Sequence, residues 1–189
     1  MSDRVAVCLA DGFEEIEAVG IIDVLRRAGV RVLAAAVDGG RTVRGAHDLR
    51  MVADCVIEEL PVDELALVAL PGGMPGSVNL AESEAVRRLL RTVHGGGKHV
   101  AAVCAAPLAL QAAGLLDGRR VTAYPAVQEQ LTGCTYTGSA VECDGRIITG
   151  KGPGVVLDFA LQLVATLCGV EKAEELKNAM QMPLWSRAD

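Results

Sequence analysis

Aromatic side chains are almost missing from this chain, with one Trp, two Tyr and two Phe among 189 residues. A core of stacked rings is excluded, so the 51% of residues that are apolar must pack chiefly as Val, Leu, Ile and Ala. Basic charge is also short: 18 Lys and Arg stand against 24 Asp and Glu, for a net charge of −6. That balance argues against general binding to nucleic acid or anionic membrane, while leaving room for a local basic pocket. No apolar run approaches the roughly 18 residues of a transmembrane helix. The opening Met-Ser-Asp-Arg leads into a short strand without the long apolar core and cleavage site of a signal peptide, so a cytoplasmic location is expected. The six cysteines (8, 55, 104, 134, 143 and 168) form no C-x-x-C pair and show no metal-ligand spacing with the three histidines. Free thiols in a reducing compartment are expected, with no metal and no cofactor.

The length fits one domain over 1–189, large enough to bury a core without staples. Apolar runs at 4–10, 30–37, 65–70 and 99–103 read as buried strands. Helices are expected over 14–28, closed by Gly29, from about 80 to 93, and from Pro107 onward. Another should follow Gly152-Pro153-Gly154 as far as Cys168, with a short charged one over 171–178. One or two short strands are expected around 49–53 and one at 121–123, and Asp144-Gly145 suits a tight hairpin between 139–143 and 146–149. Continuous apolar strands alternating with helices imply an α/β fold, a parallel sheet covered on both faces. Ligand sites in such sheets lie beyond the carboxyl ends of the strands. Three of those ends carry unusual residues: Asp11 to Glu17, Pro71 to Gly76, and Cys104.

Cys104 stands between a strand end and a helix start, with Ala102, Ala105 and Ala106 as small neighbours and Pro107 in the first helical turn. Such a position suits a tight, strained turn, and a helix N-terminus favours thiolate over thiol. Gly72-Gly73 can turn backbone N–H groups toward a ligand oxygen, as an oxyanion hole requires. Glu14 and Glu15 are explained as acids at a helix N-terminus. Glu17 borders the stripe of Ala18, Ile21, Ile22 and Leu25, where a partly desolvated carboxyl has a raised pKa and can donate to a thiolate. A second strip on the same helix, Ile16, Val19 and Gly20, is followed by Asp23 and Arg27 at favourable helical spacing. It suggests a two-fold dimer packed through this helix, with Arg27 near the shared site. His94 reads as a helix-end cation or cap and His99 as a packing residue; only His47 is kept as a possible site residue.

With these residues in place, the chain resembles the ThiJ/PfpI superfamily, in the branch of the human parkinsonism-associated deglycase and bacterial YajL. The carriers are Gly12-Phe-Glu-Glu-Ile-Glu17, Asp23 to Gly29, Leu70-Pro-Gly-Gly73, Ala101-Ala-Val-Cys-Ala-Ala-Pro107 and Gly152-Pro-Gly154. The resemblance implies a flavodoxin-like three-layer sandwich, related to class I glutamine amidotransferases, with a mostly parallel sheet and a small β-hairpin. It implies a homodimer, Cys104 as reactive thiol, and Glu17 as its protonated partner. Gly72, Gly73 and Ala105 would supply the oxyanion hole, and Arg27, His47, Tyr124, Gly152 and Pro153 an anion or substrate pocket. Tyr124-Pro125 stands where the human-type site has histidine before proline, so slow turnover is expected. Ala105 replaces the histidine that follows the nucleophile in the peptidase branch, so proteolysis is not expected. The implied activity is cysteine-dependent glyoxalase III or deglycase chemistry on glyoxal, methylglyoxal or their adducts with protein amines and thiols. The alternative is a redox sensor or redox-controlled chaperone using the same cysteine.

Overall fold

In the computed structural model, which describes residues 4–182, the apolar run after Arg4 forms β1 (Arg4–Leu9). Its side chains alternate: Val5, Val7 and Leu9 enter one aliphatic core, Ala6 and Cys8 another. The chain continues through α1 (Glu15–Arg27), β2 (Arg31–Ala36), β3 (Thr42–Arg44), β4 (Arg50–Val52), β5 (Cys55–Val56) and β6 (Leu65–Leu70). Then come α2 (Gly76–Glu82), α3 (Glu84–Gly95), β7 (His99–Val103), α4 (Pro107–Ala112), β8 (Arg120–Val121) and β9 (Thr135–Tyr136). The hairpin β10 (Val141–Asp144) and β11 (Ile147–Gly150), then α5 (Val156–Cys168) and α6 (Val170–Ala179), complete the described chain.

The main sheet has seven strands in the order β10-β11-β7-β6-β1-β2-β5. Every pairing in it is parallel except that of the edge strand β10 with β11. Helices α1, α5 and α6 cover one face and α2, α3 and α4 the other, giving the expected three-layer, flavodoxin-like α/β sandwich. Phe13 and Phe159 are both fully buried, and nearly everything else in the two cores is aliphatic. Burying each such large side chain contributes about 1.5–3 kcal/mol. No helix among the described residues is long and apolar enough to cross a membrane.

Several local expectations change. The single helix expected from about 80 to 93 is two helices, broken at Ser83, which adopts an extended backbone and caps α3 by accepting a 3.3 Å hydrogen bond from the Val86 N–H. The 49–53 region yields β4 paired with β3 as a separate hairpin, and Cys55 just beyond it is buried in β5 at the sheet edge. The strand near 121 pairs with β9 outside the main sheet. The Asp144-Gly145 hairpin forms as expected.

Candidate active site

The carboxyl ends of β11, β7, β6 and β1 lie side by side in the sheet, so the segments that follow them meet. Cys104 follows β7 with φ of 61°, a left-handed conformation rare outside glycine. Holding a non-glycine residue there costs on the order of 1–3 kcal/mol, and the surroundings fix it from both sides. The Cys104 N–H donates to the Gly150 carbonyl at 2.9 Å, and its own carbonyl accepts from the Tyr124 N–H at 2.8 Å. Ala102, Ala105 and Ala106, all buried, leave room for the turn.

Glu17 comes from the first turns of α1 and is completely buried. Its Oε2 accepts from the Gly72 N–H at 2.6 Å, while Oε1 takes no hydrogen bond of good geometry. The Cys104 thiol is the neighbouring group that interacts with this carboxyl. Oε1 is thus the natural seat for a proton that can be given to sulfur. Gly72 permits this approach, since a Cβ there would lie 2.6 Å from the Cys104 Cβ and 2.8 Å from Glu17 Oε2.

Burial above all lifts the Glu17 carboxyl from 4.5 to about 7; the Gly72 amide and the thiol pull it down, and the Glu14 charge pushes it up. Burial, then the Glu17 charge and hydrogen bond, push the Cys104 thiol up to about 12, while the N–H groups of Ala105 and Gly73 pull it down. The expectation that the helix N-terminus favours thiolate holds only in part: the amides do pull the thiol down, but α4 has only six residues and desolvation outweighs them. The carboxylate's share of the upward push disappears once Glu17 is protonated, and its O–H then donates to the sulfur. The two groups are close enough to titrate as a coupled pair.

The oxyanion assignments divide. The amides of Gly73 and Ala105 point at the Cys104 sulfur, where an oxygen attached to a carbon on sulfur would sit. The Gly72 N–H is committed to Glu17, so its role is to hold the carboxyl rather than a substrate oxygen. Tyr124 is 47% exposed, held beside Cys104 by its backbone bond, and Gly152 packs against its ring. Pro153 lines a neighbouring groove of about 540 Å³ with Ile16, Val19, Gly20 and Leu157. Arg27 does not join this group within one chain. It lies ten residues beyond Glu17 on α1, about 15 Å along the axis, and pairs with Asp23 at 2.7 Å.

His47 also departs from its expected part. Its Nδ1 lies 2.9 Å from Glu15 Oε2 and 3.6 Å from Glu14 Oε1, and the hydrogen bond to Glu15, with both carboxylate charges, raises its pKa. Two acids facing one imidazole make a poor anion pocket. This cluster is the feature that reading the sequence missed. Glu14 and Glu15 satisfy the helix-dipole rule so well that nothing drew attention to them. His94, expected as a helix-end cation or cap, lies in the last turn of α3, and burial, Arg119 and Arg146 lower its pKa, which favours the neutral ring.

The family model for DJ-1/PfpI matches residues 3–166. The chain belongs to the DJ-1/PfpI family. Within the family, protein dj-1beta of Drosophila melanogaster is 38% identical over 182 residues, 95% of this chain and 97% of that protein. The crystal structure of Drosophila melanogaster DJ-1beta, also at 38% identity, superposes with a TM-score of 0.94 and covers 97% of this chain and 100% of that one. A Caenorhabditis elegans relative, named glutathione-independent glyoxalase DJR-1.2, is 37% identical over 165 residues, 86% of this chain and 87% of its own. A structure of oxidized Toxoplasma gondii DJ-1 matches at 36% identity with a TM-score of 0.92, covering 96% of this chain and 99% of that one.

Proposed function

We propose that the protein is a cysteine-dependent glyoxalase or deglycase that acts on glyoxal, methylglyoxal or their adducts with amines and thiols. The observation that carries this reading is the coupled pair of Cys104 and Glu17 beside the amides of Gly73 and Ala105. With the proton on Glu17, the Cys104 sulfur attacks the aldehyde carbon of methylglyoxal. A C–S bond forms, and the developing alkoxide is held by the two amides and takes the proton from Glu17. The Glu17 carboxylate then removes the hydrogen from that carbon and returns it to the adjacent carbon, while the hydroxyl proton on the first carbon passes to the neighbouring oxygen, so that one carbonyl becomes a hydroxyl as the other forms. The product of this shift is a thioester. Water cleaves its C–S bond, releasing lactate and the thiol, so the sum is addition of one water with no net oxidation. The glyoxalase name of the C. elegans relative supports the substrate class.

The substrates are uncharged, so the reaction does not need His47 as an anion ligand. Arg27 enters through dimerisation. A two-fold axis across α1 packs two copies of the helix antiparallel, which brings the partner subunit's Arg27 toward the end that carries Glu17. The test is lactate formation from methylglyoxal without added thiol. Wild type forms lactate, and Cys104→Ser loses at least about 100-fold; equal rates in the two would overturn the reading.

A second use of the same thiol is favoured by the unpartnered Glu17 Oε1 and the two amides, which together can hold an oxidised sulfur as the sulfinate. Intact mass after mild peroxide separates a redox role from simple catalysis. A gain of two oxygens that is absent in Cys104→Ser supports it, and oxidation spread over other residues counts against it.

A further inference from the structure

Glu14, Glu15 and His47 offer three ligand atoms that all lie within 4.8 Å of one another, although His47 stands more than thirty residues away in the chain. The carboxylates are not solvated surface acids: the side chains of Glu14 and Glu15 are 14% and 6% exposed, whereas His47 is 69% exposed and faces water. The fold aims them. Glu15 Oε1 accepts from the N–H of His47 at 2.7 Å and of Leu49 at 3.3 Å, which fixes the 45–49 loop over α1 and leaves Oε2 turned to the imidazole. A Cβ at position 45 would collide with the Glu15 carboxylate, so Gly45 is part of the same construction. Among the described residues, the Glu14 carboxylate accepts no hydrogen bond, and the one ion-pair contact it has is with His47 Nδ1 at 3.6 Å. Nearby Arg44 is taken by Asp48 at 2.6 Å. A largely buried carboxylate has thus been left without a donor, next to a second carboxylate and an imidazole nitrogen.

We propose that Glu14, Glu15 and His47 form a binding site for a divalent cation of the zinc type, next to the thiol site and distinct from it. Ligands at about 2.0–2.2 Å around a tetrahedral zinc stand about 3.3–3.5 Å apart. The Nδ1 atom lies 2.9 and 3.6 Å from the two carboxylate oxygens, so small side-chain adjustments admit the ion. Two carboxylates and one neutral imidazole neutralise a dication, binding releases any proton held on Nδ1, and the exposed side leaves a fourth position for water. The hydrogen bonds from the 45–49 loop to Glu15 act as the outer shell that orients a ligand.

The test is a zinc titration by calorimetry of the Cys104→Ser protein, which removes the reactive thiol, with and without Glu14→Gln or His47→Ala. Crystals soaked in zinc and measured at the zinc absorption edge locate the ion. The expected result is one site per chain, with an anomalous peak bonded to His47 Nδ1 and to both carboxylates, and affinity weakened at least about tenfold by either substitution. Unchanged affinity in both variants overturns the proposal. So does zinc found only at cysteines, or a dimer whose Glu14 is paired with the partner subunit's Arg27 and leaves no room for an ion. His47→Ala alters an exposed side chain, so a far-UV spectrum matching the parent confirms that lost binding is not lost folding.

Discussion

At the scale of single residues, the pairing of Cys104 and Glu17 ties chemistry to stability. Glu17 has a folded-state value of about 7 against 4.5 for the ordinary carboxyl, so the native protein holds this proton more tightly than the unfolded chain. The resulting contribution to stability is complete below about pH 4.5, declines as the unfolded state ionises, and is gone once pH has risen past about 7. A difference of this size amounts to roughly 3 kcal/mol. Thermal melts of wild type and Glu17→Gln between pH 4 and 8 check it: the wild type should lose stability relative to the variant as pH rises through that window and level off above it. Much of this pair was legible beforehand, because a carboxyl bordering an apolar stripe and a thiol between a strand and Pro107 are visible as sequence. The balance of burial against dipole was not legible, since it depends on how short α4 is and on how closely Glu17 approaches. The same limit explains Gly72, whose amide serves the carboxyl rather than an oxyanion, and His47, whose neighbours were in plain view yet already had a sufficient explanation.

At the scale of elements, continuous apolar strands and glycine stops located β1, β2, β6, β7 and α5 because each is decided by a local pattern. The failures came where tertiary context decides. Residues 76–95 carry apolar residues at helical spacing on both sides of Ser83, so periodicity runs across a break that only the cap reveals. Strands β8 and β9 have two residues each and owe their existence to each other. If the Ser83 hydroxyl fixes the start of α3, then Ser83→Ala should cost about 1 kcal/mol, read as a lower midpoint in urea with an unchanged slope. It should leave Cys104 chemistry intact, since Ser83 lies outside the site.

At the scale of the whole molecule, the exposed strip on α1 remains to be covered. Ile16 is 61% and Val19 51% exposed, and both line an apolar groove with Pro153 and Leu157, while Gly20 of the same strip is already packed against Val156 of α5. Burying such surface against a second copy is the simplest way to remove it from water. Light scattering at micromolar concentration should give twice the 19.7 kDa chain mass. Val19→Glu, which places a charge in the middle of the strip, should shift the protein toward the monomer mass. A monomeric wild type would remove the dimer and with it the part assigned to Arg27.

The proposed chemistry rests on the one proton shared by Cys104 and Glu17. The most direct measurement is the rate of Cys104 alkylation by iodoacetamide as a function of pH, in wild type and in Glu17→Gln, with the modified residue identified by mass spectrometry. Wild-type reactivity should rise near pH 7, where the pair loses its first proton, and Glu17→Gln, which has no carboxyl proton to share, should lose the step at that pH. A wild-type Cys104 that reacts only above pH 9, with a profile unchanged by Glu17→Gln, would contradict the shared proton.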